Sequence, residues 1–180
     1  VSLKGNQVEG LETLLRWNHP IHGLLSPALF IPILEAHNRM ERVTDWIIEE
    51  VCKQIASWRE EGISFGQLSI NIPGDYVTSP KLLQVLQANM RNYEVLASQL
   101  ELEITETSFV RNIEKAIQAV IAFRKEGLSV ALDDFGTGVS SLSYLKKMPI
   151  STLKIDKSFI DEIPTSEKDS SILEAMIGLG

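Results

Sequence analysis

Apolar and polar positions along this chain alternate between two rhythms. Four short runs have β-branched or aliphatic residues bounded by turn signals and predict strands: residues 67–72 (QLSINI), 100–105 (LELEIT), 130–133 (VALD) and 153–156 (LKID). Residues 8–17 (VEGLETLLRW) predict another strand, although Leu14 and Leu15 would also suit a helix. Between these runs the period lengthens to that of a helix. Over residues 41–59, Val43, Ile47, Val51, Ile55 and Trp58 share one face. Ser79-Pro80 opens a second helix, with a capping hydroxyl before Pro at the first helical position, and Leu82, Leu83 and Leu86 follow. Ile113, Ile117, Val120 and Ile121 mark a third, closed by Gly127. Ile172, Leu173, Met176 and Ile177 begin a fourth.

Strands separated by helices imply βαβ units and a parallel sheet. The α/β pattern suits either a (β/α)8 barrel or an open doubly wound sheet, with about five strands in view. A closed barrel takes ~250 residues, more than the 180 here. No low-complexity linker interrupts the pattern, so a single domain over residues 1–180 is expected. Composition is that of an ordinary globular protein, 44% hydrophobic and 23% charged. No apolar run approaches the ~20 residues of a membrane span, and the N-terminus has no signal-peptide layout. The lone cysteine, Cys52, excludes an internal disulfide and sits on the apolar side of a helix as an inert core thiol. A net charge of −7 argues against a broad grip on nucleic acid polymer, yet leaves room for a small phosphorylated ligand held through cations.

In a parallel α/β protein the working edge lies where strands end and βα loops begin. Asn71 ends the 67–72 run; Glu101 and Glu103 share a face of the next, with Glu106 after it; Asp133 and Asp134 close the third; Lys154 and Asp156 lie in the fourth. Glu12 and Arg16 belong to the earliest run. A single charged residue at such an edge is usually solvated rim. Asn71, Glu103 and Asp133 come from three successive strands and are each expected to be buried, where a carboxylate must be paired, protonated or bound to a cation. An oxygen-only set of this kind suits Mg2+ or Mn2+ rather than zinc, and His19, His22 and His37 lie outside it. The adjacent Asp133 and Asp134 fit two-metal chemistry, one carboxylate bridging two cations. Lys154 either orients an attacking water and steadies developing charge, or forms an ion pair with Asp133 or Asp156. The loop Phe135-Gly136-Thr137-Gly138-Val139-Ser140-Ser141 supplies two glycines and a capping serine, and behind a carboxylate pair it reads as a hinge or lid.

These segments together resemble the EAL domain, the bacterial phosphodiesterase of cyclic di-GMP. The resemblance runs through Glu12-Thr13-Leu14-Leu15-Arg16-Trp17, His19-Pro20, Phe30-Ile31-Pro32, INIP, ELEITET, DDFGTGVSSLSYL and LKIDKSFI, with Thr13 where the signature has Ala. It implies a TIM-like (β/α)8 barrel of EAL type and hydrolysis of cyclic di-GMP to linear pGpG. It also implies that Glu12, Asn71, Glu103 and Asp133 hold a first metal and that Asp133 and Asp134 share a second. Lys154 then contacts the nucleophilic water and Arg16 a substrate phosphate. Glu106 anchors the loop from Asp134 through Leu142, linking the metal site to dimerisation.

The family has a later Glu-Gly-Val-Glu strand and an opening Gln-Pro strand that these residues do not include. The resemblance therefore implies an incomplete barrel and little hydrolysis by these 180 residues alone. It also implies a cytoplasmic, dimeric parent protein, which can be tethered to a membrane and joined to sensory or cyclase domains. Two other readings compete: a non-hydrolysing cyclic di-GMP receptor or dimerising module on the same fold, and a metal-dependent barrel enzyme acting on a carbon acid.

Overall fold

The computed structural model describes residues 8–109, 112–136 and 147–158, with Ser2, Gly5 and Gly178. In chain order its elements are β1 (Gly10–Glu12), β2 (Trp17–His19), β3 (Gly23–Leu25), α1 (Pro27–Ala36), α2 (Met40–Glu60), β4 (Gln67–Asn71), α3 (Gly74–Val77) and α4 (Pro80–Asn92). They continue with β5 (Leu100–Thr105), α5 (Ile113–Lys125), β6 (Ser129–Phe135) and β7 (Thr152–Ile155). Single 3-10 turns at Ala97–Gln99 and Glu106–Phe109 flank β5.

Five strands form one parallel sheet in the order β1-β4-β5-β6-β7. The alternation that predicts the strands also divides the faces of this sheet. Leu68, Ile70, Leu100, Leu102, Ile104, Val130 and Leu132 are all buried and join one core with Ile48, Val51, Cys52 and Ile55 of α2, Leu82 and Leu86 of α4, and Val120 and Phe123 of α5. The intervening residues, Ser69, Asn71, Glu101, Glu103, Thr105, Ser129, Ala131 and Asp133, occupy the other face in matched rows. One side of the sheet is thus apolar under its helices and the other is polar.

The strand predicted over residues 8–17 is shorter than expected. Only Gly10–Glu12 pairs with β4, and the last bond of that ladder runs from Thr13 N to Ser69 O at 2.9 Å. Trp17–His19 instead pairs antiparallel with Gly23–Leu25, so the segment supplies two strands of different sheets. Helix α1 was not foreseen from the sequence; Pro27 enters at its start and Pro32 lies inside it. Helix α4 begins where Ser79-Pro80 predicts, but the Ser79 side chain makes no capping bond. Helix α5 is capped, by Asn112 Oδ1 accepting from Lys115 N, and Gly127 follows its end at φ +87°. The predicted helix at Ile172–Ile177 lies outside the described residues.

Two ties fix the loop after β4. Tyr76 is buried and its hydroxyl donates a short hydrogen bond to Asp45 on α2, whose other oxygen meets Lys81 Nζ of α4 at 2.6 Å. Burial and the Asp45 carboxylate together push the Tyr76 hydroxyl well above its ordinary range, so it stays a donor. Gly74 abuts Ser108: a Cβ there would lie 2.6 Å from Ser108 Oγ and 2.9 Å from its Cα. The turns after β4 and β5 are therefore in direct contact, which only a glycine permits.

Candidate active site

The parallel register brings one polar residue from the end of each strand to a common edge. Glu12 lies opposite Ser69, Asn71 opposite Glu103, and Thr105 opposite Asp133, while Lys154 is two residues beyond Thr152, which faces Ala131. Lys154 Nζ is the hub of the cluster. It lies 2.8 Å from Glu103 Oε2, 3.6 Å from Asp133 Oδ1 and 3.8 Å from Glu12 Oε2. Asn71 Nδ2 donates to Glu12 Oε1 at 3.1 Å. Five of the sequence-predicted site residues are thus gathered. Of the two ion pairs expected for Lys154, the one with Asp133 is present, whereas Asp156 accepts from Ser158 N at 2.9 Å and from its hydroxyl. The pair with Glu103, the shortest of the three, was not anticipated.

Burial is uneven across the cluster, which corrects the expectation that Asn71, Glu103 and Asp133 are alike. Glu103 is 3% exposed, Asp133 is partly buried and Asn71 is open to solvent. Desolvation raises the Glu103 carboxyl above its usual range even though Lys154 pulls it down. For Lys154 burial favours the neutral amine, but Glu103, then Asp133 and Glu12, more than offset this, and the ammonium is held charged. Asp134 is raised by desolvation and by the neighbouring charges of Asp133 and Asp156.

The backbone explains how two consecutive carboxylates serve one edge. Adjacent residues of a regular strand point to opposite faces. Here the β6–β7 register slips between Leu132 and Phe135, and Asp134 takes φ +54°, a left-handed conformation that Asp tolerates better than most residues. The extra residue of this bulge breaks the alternation at the strand end, so Asp134 need not fall on the helix-covered face.

Next to the bulge, Glu106 is 2% exposed and its Oε2 accepts from Gly136 N at 3.1 Å, which fixes the start of the following loop. Phe135 is buried and Gly136 has φ +100°. Thr137, Gly138, Ser140 and Ser141 lie outside the described residues. Arg16 is exposed and donates to Leu15 O at 2.7 Å, apart from the ion-pair cluster. His19 Nδ1 accepts from Ile21 N and His22 N and so closes the β2–β3 turn, and His37 contacts Ile33 O. Cys52 is fully buried, and desolvation lifts its thiol to about 11.

Among the described residues, no three His, Cys, Asp or Glu side chains enclose a ready-made cation cavity, and the Lys154 ammonium holds the middle of the acidic group. The donor set nevertheless fits a hard cation. It is all oxygen, its acidic groups outnumber the lysine, and Glu103 Oε2 is buried without accepting a hydrogen bond of good geometry. Thr13 Oγ1, on the residue that departs from the signature, is buried and makes no hydrogen bond.

A model of the EAL domain matches residues 1–180. The chain belongs to the EAL domain family. Among curated relatives, a protein named cyclic di-GMP phosphodiesterase NbdA, of Pseudomonas aeruginosa, is 35% identical over 179 residues, 99% of this chain and 23% of its own length. The bifunctional diguanylate cyclase/cyclic di-GMP phosphodiesterase MucR of the same organism is 33% identical over 95% of this chain and 25% of its length. This chain therefore spans about a quarter of those relatives. Among EAL structures, the MucR phosphodiesterase in complex with cyclic di-GMP superposes with a TM-score of 0.89 at 33% identity, over 96% of this chain and 70% of that one. The EAL enzyme Bd1971, with cAMP and cyclic di-GMP bound, gives 0.90 at 36% identity, over 99% of this chain and 50% of that one. The five-stranded sheet is accordingly a curled half-barrel of the TIM-like EAL fold. The choice left open by the periodicity falls on the barrel, and the doubly wound sheet is excluded.

Proposed function

We propose that this chain is the greater part of an EAL phosphodiesterase domain that hydrolyses cyclic di-GMP to linear pGpG. The observation that carries the reading is the convergence of Glu12, Asn71, Glu103, Asp133 and Lys154 at the carboxyl edge of an EAL-family sheet. The names of the relatives and the cyclic di-GMP in the MucR structure support the substrate.

In this reading Glu12, Asn71, Glu103 and Asp133 hold one Mg2+ or Mn2+, and Asp133 with Asp134 holds a second. Such cations, when bound, acidify water and neutralise phosphate oxygens. The chain's own residues do the rest. Lys154 keeps its proton and presents an N–H donor that orients the attacking water. The water oxygen bonds to phosphorus, the P–O3′ bond breaks, and the 3′ oxygen leaves with a proton, so the linear product carries a 5′ phosphate. Arg16 offers a planar guanidinium to a phosphate of the substrate. Glu106 holds the Gly136 amide and so fixes the backbone directly after the Asp133–Asp134 pair.

The parent protein is proposed to be a cytoplasmic homodimer in which this domain is joined to sensory or cyclase modules. The short coverage of NbdA and MucR and the bifunctional name of the latter support the longer architecture. Among the described residues no helix is long and apolar enough to cross a membrane.

The test is conversion of cyclic di-GMP by protein carrying the whole EAL domain, with Mg2+ or Mn2+ supplied and pGpG followed by chromatography. Tight binding of cyclic di-GMP without product would overturn hydrolysis in favour of a receptor.

A further inference from the structure

One buried carboxylate plays no part in the reaction as proposed. Glu101 is 8% exposed and lies one row below Glu103 on the polar face of the sheet. Its two oxygens are held by hydroxyls from strands on either side: Ser69 Oγ of β4 donates to Oε2 at 3.1 Å, and Thr152 Oγ1 of β7 donates to Oε1 at 2.6 Å. The second bond passes over β6, which lies between β5 and β7.

The Glu101–Thr152 bond repeats the Glu103–Lys154 pair one row higher. Each β5 carboxylate reaches across β6 to a β7 residue, and both members of the upper pair stand two positions beyond those of the lower pair. The crossing is open because the β6 residues in these rows are small: Ser129 opposite Glu101 and Ala131 opposite Glu103. The β6–β7 ladder meanwhile is regular only at Ala131–Thr152 and Leu132–Leu153, and then slips at the bulge beside Asp133 and Asp134. Lys154 thus sits where the ladder no longer holds β7 in register. The nearest side-chain restraint beneath it is the charge-assisted bond from Thr152 to Glu101.

We propose that Glu101 and Thr152 form a strut that positions Lys154, with Ala131 as the gap it spans. The proposal rests on the hydrolase reading for its kinetic consequence, but the placement of Lys154 can be measured without it. Neither residue touches the substrate. They act through the height of β7 and hence through the site of the ammonium.

The experiment uses protein carrying the whole EAL domain. Thr152→Val removes the hydroxyl at nearly constant shape, Thr152→Ser keeps it, and Glu101→Gln keeps one of the two accepting oxygens, which can still serve Thr152. If the strut positions Lys154, Thr152→Val lowers kcat by about tenfold or more, because small misplacements of a catalytic group cost rates of that order. KM and the Mg2+ concentration for half-maximal activation stay unchanged, and Thr152→Ser and Glu101→Gln each keep most of the wild-type rate. Against a Lys154→Ala background, Thr152→Val costs nothing further, since its effect passes through the missing lysine. NMR of 13Cε-labelled lysine in metal-free protein reads the position directly: the Lys154 signal is restrained in wild type and becomes mobile in Thr152→Val. An unchanged Lys154 signal in a folded Thr152→Val protein overturns the proposal, and so do kinetic losses that add in the Lys154→Ala background. Absence of hydrolysis by wild type would overturn the hydrolase reading, and the NMR comparison would still decide the strut.

Discussion

Lys154 is the residue on which the acidic cluster depends when no cation is bound. Its ammonium faces Glu103, Asp133 and Glu12, and Glu103 is nearly inaccessible to water. Removing one member of a buried ion pair leaves the other charge uncompensated, at a cost of about 3–5 kcal/mol. Lys154 is partly exposed, so solvent screening reduces this, and a loss of roughly 1–3 kcal/mol is expected for Lys154→Met in metal-free protein at pH 7. Urea titration checks this, and the double variant Lys154→Met/Glu103→Gln should recover part of the loss. Cys52 behaves in the opposite way, since burial keeps it neutral. Its folded thiol titrates at about 11 against an ordinary value of 9.0, so folding favours the protonated form. That stabilisation is complete below pH 9 and fades as pH rises through about 11, because the unfolded chain gives up its proton first. Wild type should therefore lose stability relative to Cys52→Ala over that window, and iodoacetamide at pH 8 should leave Cys52 unmodified until denaturant is added.

The strands and long helices were legible because burial imposes a period on them. The alternation in QLSIN and LELEIT marks both the strand and the face on which Asn71, Glu101 and Glu103 stand. Helix α2 was placed to within a residue at each end, though beside the expected Val51, Cys52 and Ile55 its buried face also takes in Thr44 and Ile48. Other elements left no such trace. The β2 and β3 strands are three residues each and mostly exposed, so no alternation develops. Helix α1 is apolar nearly all round, with only Phe30 buried, and a proline interrupts the pattern. The bulge at Asp134 depends on how β7 packs, which the local sequence does not encode. The strand pairing does carry one sharp requirement. A Cβ on Gly66 would lie 2.0 Å from Glu9 O, and the residue has φ +75°, so Gly66→Ala pushes β1 away from β4. Clash and backbone strain together are expected to cost at least about 2 kcal/mol. Asn112→Ala, which removes the α5 cap, should cost about 1 kcal/mol. Denaturant midpoints for the two variants test both the sizes and their order.

For the whole molecule, the division of the sheet into an apolar face and a polar one separates stability from chemistry. The helices cover the apolar face, so the fold does not rely on the acidic edge for its core. Charge at that edge should instead make stability respond to divalent cations. Binding to the folded state alone adds about 2.7 kcal/mol when the cation is present at a hundred times its Kd. Mg2+ or Mn2+ is accordingly expected to raise the melting temperature, EDTA to reverse the rise, and Asp133→Asn to remove most of it. An equal rise in wild type and Asp133→Asn would place the cation elsewhere. The sequence pattern places Glu12, Glu103 and Asp133 at one edge, where they gather around Lys154, but does not show the central position of the lysine, because its reach across β6 depends on the small residue there, Ala131.

The bond from Glu106 to Gly136 uses the amide of the loop rather than any side chain. Every amino acid except proline carries that donor, but Gly136 stands at φ +100°, a conformation that residues with a side chain rarely adopt. The two ends of the link therefore make different demands. Position 136 is held to glycine by its backbone rather than by anything a side chain does, whereas position 106 is held to a carboxylate by its reach and its two oxygens. A substitution at either position loosens the same bond by a different route.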